Sequence, residues 1–446
     1  MKIDAETTRL LKLYPESGLG NLEEGQIFFN KMTLEIYLSE SDSDQPAAQA
    51  AALTAVVTGV RSFRGGVCLT GATHEKLVLP LSPHKTVGEA ASALGATKSV
   101  KADYLIVIGY APAHIKAWAV RPWWDGWKVG LRPIKDDQPL GVGSNVLAGT
   151  AAGALAVSEA FKRALGDPRA GRESSCVSIW DPVQNSNPEK QEVYLPKSLW
   201  ALGLGNLGQA YLWTFGLLPF KEPQQVELLL QDFDYVQPSN YGTSVLTGHG
   251  DVGARKSKIM EEWALKMGFK VTRNDRPFDE NTRRRDFEPA VVLSGLDNVA
   301  TRKLLGKANF DYVIDAGLGN TARNYHLYRV NVFDENFKPE DILKEDGAGE
   351  NERIESNKAL PAYREEVGKY PEEECGIAEI AGASVAVPFV SVFTSALAVT
   401  QAIRMASLEP PFRTLSGSTM DFPEIRTHFD GQLKVKNLGY SEAMAW

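Results

Sequence analysis

Leu202-Gly203-Leu204-Gly205-Asn206-Leu207-Gly208 decides how this 446-residue chain folds. Glycines at these three intervals let the backbone turn sharply after a strand, approach a phosphate closely and pack the following helix on the sheet. The helix N-terminus then offers unpaired N–H groups to an anion. Alone, the stretch specifies a mononucleotide- or dinucleotide-binding α/β unit, and a plain nicotinamide dehydrogenase would satisfy it.

The residues that follow narrow the reading. Gln231-Asp232-Phe233-Asp234 and Ser239-Asn240 come first, then Asp251-Val252-Gly253-Ala254-Arg255-Lys256, then Val291 to Asp297-Asn298, and Arg302. This order resembles the ThiF/MoeB/ubiquitin-activating superfamily, and is most similar to the activating component of bacterial ubiquitin-like conjugation operons, some of which serve in antiviral defence. The resemblance implies that Gly203, Gly205, Asn206, Leu207 and Gly208 sit beside ATP. It further implies that Asp232 holds the ribose, with Asp234 and Asn240 in the same site. Lys256 would reach the phosphates and Asp297 would place Mg²⁺, with Asn298 and Arg302 beside them. The set is also chemically coherent in itself. Attack by a weak carboxylate on an α-phosphate needs positive charge on the oxyanions and a metal to offset developing charge. One position departs from the family, whose arginine three residues after the Asn of Ser-Asn is Thr243 here. Arg255, Arg302 or the cluster Arg283, Arg284 and Arg285 are the candidate replacements.

Composition sets the outer limits. With 43% hydrophobic and 23% charged residues the chain is long enough for two or three globular domains. A net charge of −8 argues against nucleic acid as a partner, because neutralising phosphates needs a dominant basic surface. Met1-Lys2-Ile3-Asp4 lacks the apolar core of a signal peptide, and no apolar run is expected to span a membrane. Cys68, Cys176 and Cys375 share no CxxC spacing, which excludes a four-cysteine zinc site, and a reducing cytoplasm is the expected location. Whether two chains associate as a homodimer is left open by the sequence.

An internal repeat organises the chain. Ala154-Leu155-Ala156-Val157-Ser158-Glu159-Ala160-Phe161-Lys162 recurs as Ala396-Leu397-Ala398-Val399-Thr400-Gln401-Ala402-Ile403-Arg404. Upstream, the strand-like run from Asp103 to Gly109 parallels that from Asp311 to Gly317. The spacing is 154 − 103 = 51 in one half and 396 − 311 = 85 in the other, so the second copy carries 85 − 51 = 34 extra residues. These are assigned to the polar run from Phe337 to Tyr370, expected to be a mobile surface loop. The expectation is an α/β protein of two Rossmann-like adenylation-type halves forming a pseudo-dimer, the N-terminal half degenerate and the C-terminal half active. Its parts are an inactive domain at 1–166, a connector at 167–195, the active domain at 196–415 with a mobile loop at 337–375, and a tail at 416–446.

A thiolate is the natural acceptor of an acyl-adenylate, since it is nucleophilic near neutral pH and yields an energy-rich thioester. Cys375 is the candidate, because the resembling family carries its catalytic cysteine in such a crossover segment. Against it, Glu372, Glu373 and Glu374 would raise its pKa by like-charge repulsion. The tryptophan-rich run Trp118 to Val129 is read as a hairpin turning at Asp125-Gly126 that packs in the core, in preference to a partner surface. A second hairpin is expected around Asp430-Gly431, joining 421–426 to 432–436. The resemblance thus implies an enzyme that adenylates the C-terminus of a ubiquitin-like protein with ATP and Mg²⁺, captures it on Cys375 and passes it to a conjugating enzyme. The alternatives are a sulfur-carrier adenylyltransferase, a non-catalytic scaffold, and an NAD- or FAD-binding Rossmann protein.

Overall fold

The computed structural model describes residues 4–136, 143–189, 193–344, 384–422, 424–433 and 438–444. Cys375 and most of the expected loop lie outside the described residues.

In the N-terminal half, alternating or continuous apolar runs form β1 (Thr33–Leu38), β2 (Gly66–Gly71), β3 (Tyr104–Ile108), β4 (Trp118–Asp125), β5 (Lys128–Pro133) and β6 (Ser175–Ser178). They make one sheet in the order β2-β1-β3-β4-β5-β6. The first four strands run parallel, and β5 and β6 are antiparallel to their neighbours. Two long helices belong to this half, α1 (Pro46–Ser62) and α2 (Val146–Ala164). Pro46 stands in the first turn of α1, where its missing N–H costs nothing. Small residues let the two helices cross closely. A Cβ on Gly149 would run into the main chain of Ala47, and one on Gly153 into that of Ala51.

In the C-terminal half β7 (Leu195–Pro196) precedes β8 (Ser198–Leu202), α3 (Asn206–Gly216), β9 (Glu227–Gln231), α4 (Lys256–Lys266), β10 (Lys270–Asn274) and β11 (Val291–Ser294). Then follow β12 (Tyr312–Leu318), β13 (Leu327–Phe333), α5 (Pro388–Ala406), β14 (Thr414–Ser418), β15 (Ile425–His428) and β16 (Tyr440–Ser441). The eight-stranded sheet has the order β10-β9-β8-β11-β12-β13-β14-β15. Its strands are parallel from β10 through β12 and antiparallel from there on. The run β9-β8-β11-β12-β13-β14 therefore has the same order and polarity as β2-β1-β3-β4-β5-β6.

The repeated helices match end to end, since 146 + 242 = 388 and 164 + 242 = 406. The strand pairing expected from sequence is off by one. By position in the sheet β3 corresponds to β11, and β12 corresponds to β4. Neighbouring buried strands bounded by glycine have the same apolar pattern, so the pattern alone could not separate them. The extra length also changes. From strand to helix the gap is 146 − 133 = 13 residues in the first half and 388 − 333 = 55 in the second, an excess of 55 − 13 = 42.

Three expected boundaries shift. β6 falls inside the expected connector 167–195, and β14 and β15 carry the second sheet past residue 415. The described start of the expected loop, 337–344, is partly packed: Phe337 stacks on Phe333 at 5.4 Å, Pro339–Ile342 is a helical turn, and Pro339 and Leu343 are buried. β15 pairs with β14 through Ile425–His428; the second arm of the hairpin expected around Asp430-Gly431, residues 432–436, lies largely outside the described residues. The tryptophan run is a hairpin, with Asp125 opposite Lys128 and Trp124 and Trp127 buried. Trp127 lies against Trp180 at 4.8 Å, so this is core packing.

The long helices of the two halves pack on one another, α2 against α5 and α1 against both. One apolar core runs through both halves. Trp213 of α3 donates its indole N–H to Thr54 of α1 at 3.0 Å, a buried bond across the junction. By length and composition α5 could cross a membrane, but it is almost wholly buried, so its all-round apolarity is that of a central core helix.

Candidate active site

The chain leaves β8 for β9 on one side and later enters β11 on the other. This reversal opens a crevice at the carboxyl ends of the strands, where ligands of open α/β sheets bind. A cavity of about 570 Å³ lies there.

The glycine stretch forms its floor. Gly203 adopts φ +77°, a conformation that favours glycine, and a Cβ there would press on the main chain of Gly295 and Leu296 at 3.0 to 3.2 Å. A Cβ on Gly205 would meet nothing within 4 Å, so this residue faces open space. Gly208 does not line the cavity. It sits behind the loop, where a Cβ would run into the carbonyl oxygen of Gly203, so it sets how closely helix and strand pack. Helix α3 starts at Asn206 with no side-chain cap, which leaves its first N–H groups pointing at the crevice. Ser391 of α5 donates to Asn206 Oδ1 at 2.6 Å and ties the loop to the core helix.

Asp232 stands at the end of β9 and is 8% exposed. Its Oδ2 accepts from the backbone N–H of Leu204 at 2.6 Å and its Oδ1 from that of Asp234 at 2.7 Å. The carboxylate thus shapes the glycine loop and still has lone pairs for a ligand hydroxyl. Burial pushes its pKa up, against the pull of the Lys256 charge and the two backbone donors. Lys256 opens α4 and directs its ammonium to Asp234 Oδ2 at 2.8 Å, both residues lining the cavity.

Asp297 and Asn298 lie on the opposite wall, beyond β11. Asn298 caps the following helix by accepting from Thr301 N at 3.0 Å. Arg302 lines the cavity but is claimed by Asp315, which is fully buried on β12, with contacts of 3.0 and 2.6 Å. Burial would lower its pKa, and the charge and hydrogen bonds of Asp315 more than offset this and raise it. Asn240 lines the cavity while its Oδ1 caps the turn at Gln237 N.

Of the arginines weighed as replacements for the family's missing one, only Arg302 lines the cavity, and Asp315 holds it. Arg255 donates to the Phe233 carbonyl and covers the Tyr235 ring at 4.6 Å, and Arg283 and Arg284 donate to backbone carbonyls. The residue that sequence reasoning missed is Arg9. It lines the cavity from the short helix Thr8–Leu11 of the other half, and its lowered pKa reflects burial opposed by the Asp297 charge. No motif marks Thr7-Thr8-Arg9; the only available signal was the shortage of positive charge at Thr243. Ser384, Val385 and Ala386, just before α5, also line the cavity, with Val385 N bonded to Asn320 O at 2.9 Å.

The arrangement offers backbone N–H groups, Lys256 and Arg9 to anionic oxygens, and Asp232 to hydroxyls. Among the described residues no group of three or more His, Cys, Asp or Glu side chains could hold a metal by itself. Asp297 is an exposed carboxylate on the wall of an anion-binding cavity, which suits Mg²⁺, an ion usually held by one or two carboxylates together with substrate phosphates.

Residues 195–408 match the family profile of the BilD C-terminal domain and residues 33–179 that of the BilD N-terminal domain. A bacterial E1-like protein BilD from Collimonas sp. (strain OK412) is 32% identical over 432 residues, covering 94% of this chain and 92% of that protein. Among solved structures, E. coli MccB with MccA-N7isoASN is 16% identical, with a TM-score of 0.37 over 53% of this chain and 65% of that one. E. coli MccB with ATP is 13% identical, with a TM-score of 0.34 over 53% and 65%. This chain thus spans just under two thirds of the length of those two structures.

Proposed function

Because this chain belongs to the BilD family of bacterial E1-like proteins, we propose that it is an ATP-dependent activating enzyme that adenylates the C-terminal carboxylate of a ubiquitin-like protein. The observation that carries this reading is the convergence, on one cavity, of an uncapped helix N-terminus, Lys256, Arg9 and Asp297. A nicotinamide enzyme would need the glycine loop and leave these charges without a task.

In this mechanism Asp232 accepts the ribose hydroxyls and the glycine loop holds the phosphates. A carboxylate oxygen of the substrate attacks the α-phosphorus, the bond to the β-phosphate oxygen breaks, and pyrophosphate leaves. Lys256 stabilises the charge that builds on the α-phosphoryl oxygens and Arg9 that on the departing pyrophosphate, contributions magnified where water is excluded. Asp297 would hold Mg²⁺, which when bound supplies positive charge to the phosphates. The Cys375 thiolate then attacks the acyl carbonyl and displaces AMP, leaving a thioester for a conjugating enzyme. The acidic flank of Cys375 means that the thiolate needs a basic environment at that moment.

The N-terminal half is read as the inactive member of a pseudo-dimer. Its shared strand order and matching helices support this, as does the loop after β1. There the run from Ser39 to Asp44 has no glycine and carries Glu40, Asp42 and Asp44, and acidic side chains repel phosphate. Work in the cytoplasm and a place in antiviral conjugation belong to the same proposal.

ATP/pyrophosphate exchange with a candidate ubiquitin-like protein tests the reading. Lys256→Ala should lose both exchange and thioester, while Cys375→Ala should retain exchange and lose only the thioester. A thioester that persists in Cys375→Ala would remove that residue from the mechanism.

A further inference from the structure

Arg9 reaches the cavity from a segment that belongs to the other half, and something must hold that segment in place. Next to Asn240 the chain turns through Tyr241, Gly242 and Thr243, and a Cβ on Gly242 would run into the main-chain oxygen of Glu6. The N-terminal segment therefore lies directly on the turn whose third residue replaces the family arginine. Thr243 is buried beneath it, 2% exposed.

The Glu6 carboxylate is divided between two partners. Its Oε2 takes Arg64 Nη2 at 2.9 Å, and its Oε1 meets His249 Nδ1 at 2.7 Å. Arg64 comes from the turn between α1 and β2 of the first half, His249 from a loop of the second. The His249 ring stacks on Tyr241 at 3.7 Å, and the Arg61 and Arg64 guanidiniums lie over the same Tyr241 ring at 5.2 and 5.5 Å. Arg61 is fixed in turn by the carbonyls of Ser244 and Thr247, at 2.9 and 3.0 Å. From Glu6 the chain passes directly into the helix of Arg9: Thr7 N bonds Asp4 O at 3.0 Å, Leu11 N bonds Thr7 O at 2.8 Å, and Leu10 and Leu11 are buried. Glu6 is thus the side chain that pins the base of the Arg9 helix to both halves at once.

We propose that Glu6 is a positioning residue: through Arg64 and His249 it sets Arg9 in the nucleotide cavity, so that this turn delivers from a neighbouring segment the charge that Thr243 cannot. The inference rests on the nucleotide reading above, under which Arg9 shares with Asp297 the part of the cavity that takes the β- and γ-phosphates.

The test is calorimetric binding of ATP·Mg²⁺ and of AMP to the full chain as wild type, Glu6→Gln, Arg9→Met and the double variant. Arg9→Met should weaken ATP about tenfold, the scale of one charge-assisted hydrogen bond, and leave AMP within about twofold of wild type. Glu6→Gln should weaken ATP in the same sense, spare AMP, and add nothing once Arg9 is gone, as a mutant cycle on one coupled pair requires. Equal losses from Glu6→Gln in both backgrounds, or an equal loss of ATP and AMP, would show a general structural role and overturn the inference. An inert Glu6→Gln beside a weakened Arg9→Met would overturn it and leave the nucleotide reading standing. A wild-type chain that binds neither nucleotide would defeat the reading and, with it, the inference.

Discussion

At the level of single residues, Asp232 shows what it costs to hold a buried carboxylate at the cavity that we propose binds nucleotide. Its pKa is raised, chiefly by burial, so the folded chain holds this proton to a higher pH than the unfolded chain, whose aspartates titrate near about 3.9. Below that value both states are protonated and the residue has no pH-dependent effect. As the pH rises through the folded value, ionisation favours the unfolded state and stability from this group falls. Thermal unfolding of wild type against Asp232→Asn should therefore show a gap that changes in this window, in the direction of a relatively less stable wild type at higher pH. A gap constant with pH would contradict the shift. The ATP affinity of Asp232→Asn should also fall, because an amide cannot accept on both oxygens. Much of the cavity lining was legible at this scale: Gly203, Gly205, Asp232, Asp234, Lys256 and Asp297, marked by their order in the sequence, all line it, while Gly208 stands behind the loop. Arg9 and Asp315 were not legible, since each acts through a contact with a residue distant in sequence that no local pattern records. Asn298 and Asn240 were legible as members of the motif, but their side-chain oxygens spend themselves on capping turns, which a motif does not reveal.

At the level of elements, close approach is the recurrent demand. Gly208 lies near the start of α3, where alanine would ordinarily favour the helix by up to about 1 kcal/mol. A Cβ there meets the Gly203 carbonyl, so Gly208→Ala should destabilise the chain by about 1–3 kcal/mol, the usual range for overpacking. Urea unfolding measures it, and a neutral result would mean that the loop yields readily. Gly149 and Gly153 pose the same test at the α1–α2 crossing. The paired helices α2 and α5 were readable from sequence because an almost identical order of small and apolar residues fills the same role in each half. The partner of β3 was not, because position within a sheet is decided by which strands happen to be neighbours, a non-local matter. β15 likewise pairs with β14, a partner that no local turn signal announced.

At the level of the whole molecule, the two sheets share one core, and buried hydrogen bonds cross the junction. Heating or urea should thus unfold the chain in one transition, seen at the same midpoint by tryptophan fluorescence and far-ultraviolet circular dichroism. Two separated transitions would mean that the halves are independent. Arg61→Met should lower that midpoint, since it removes donors to three carbonyls, Val57, Ser244 and Thr247, in a fully buried setting. There burial holds the guanidinium down to a pKa of about 10.

The acidic loop after β1 has a consequence for counting. Two similar sheets would suggest two ligand sites, yet under the proposed reading the acidic run Ser39-Glu40-Ser41-Asp42-Ser43-Asp44 repels phosphate from one of them, while the segment before β1 contributes an arginine to the lining of the other. Nucleotide should saturate at one molecule per chain, and a fragment beginning at residue 195 should bind it poorly even when folded. Under the proposed pseudo-dimer, joining two copies end to end trades duplicate sites for a division of labour: one copy keeps the pocket, and the other becomes part of its wall.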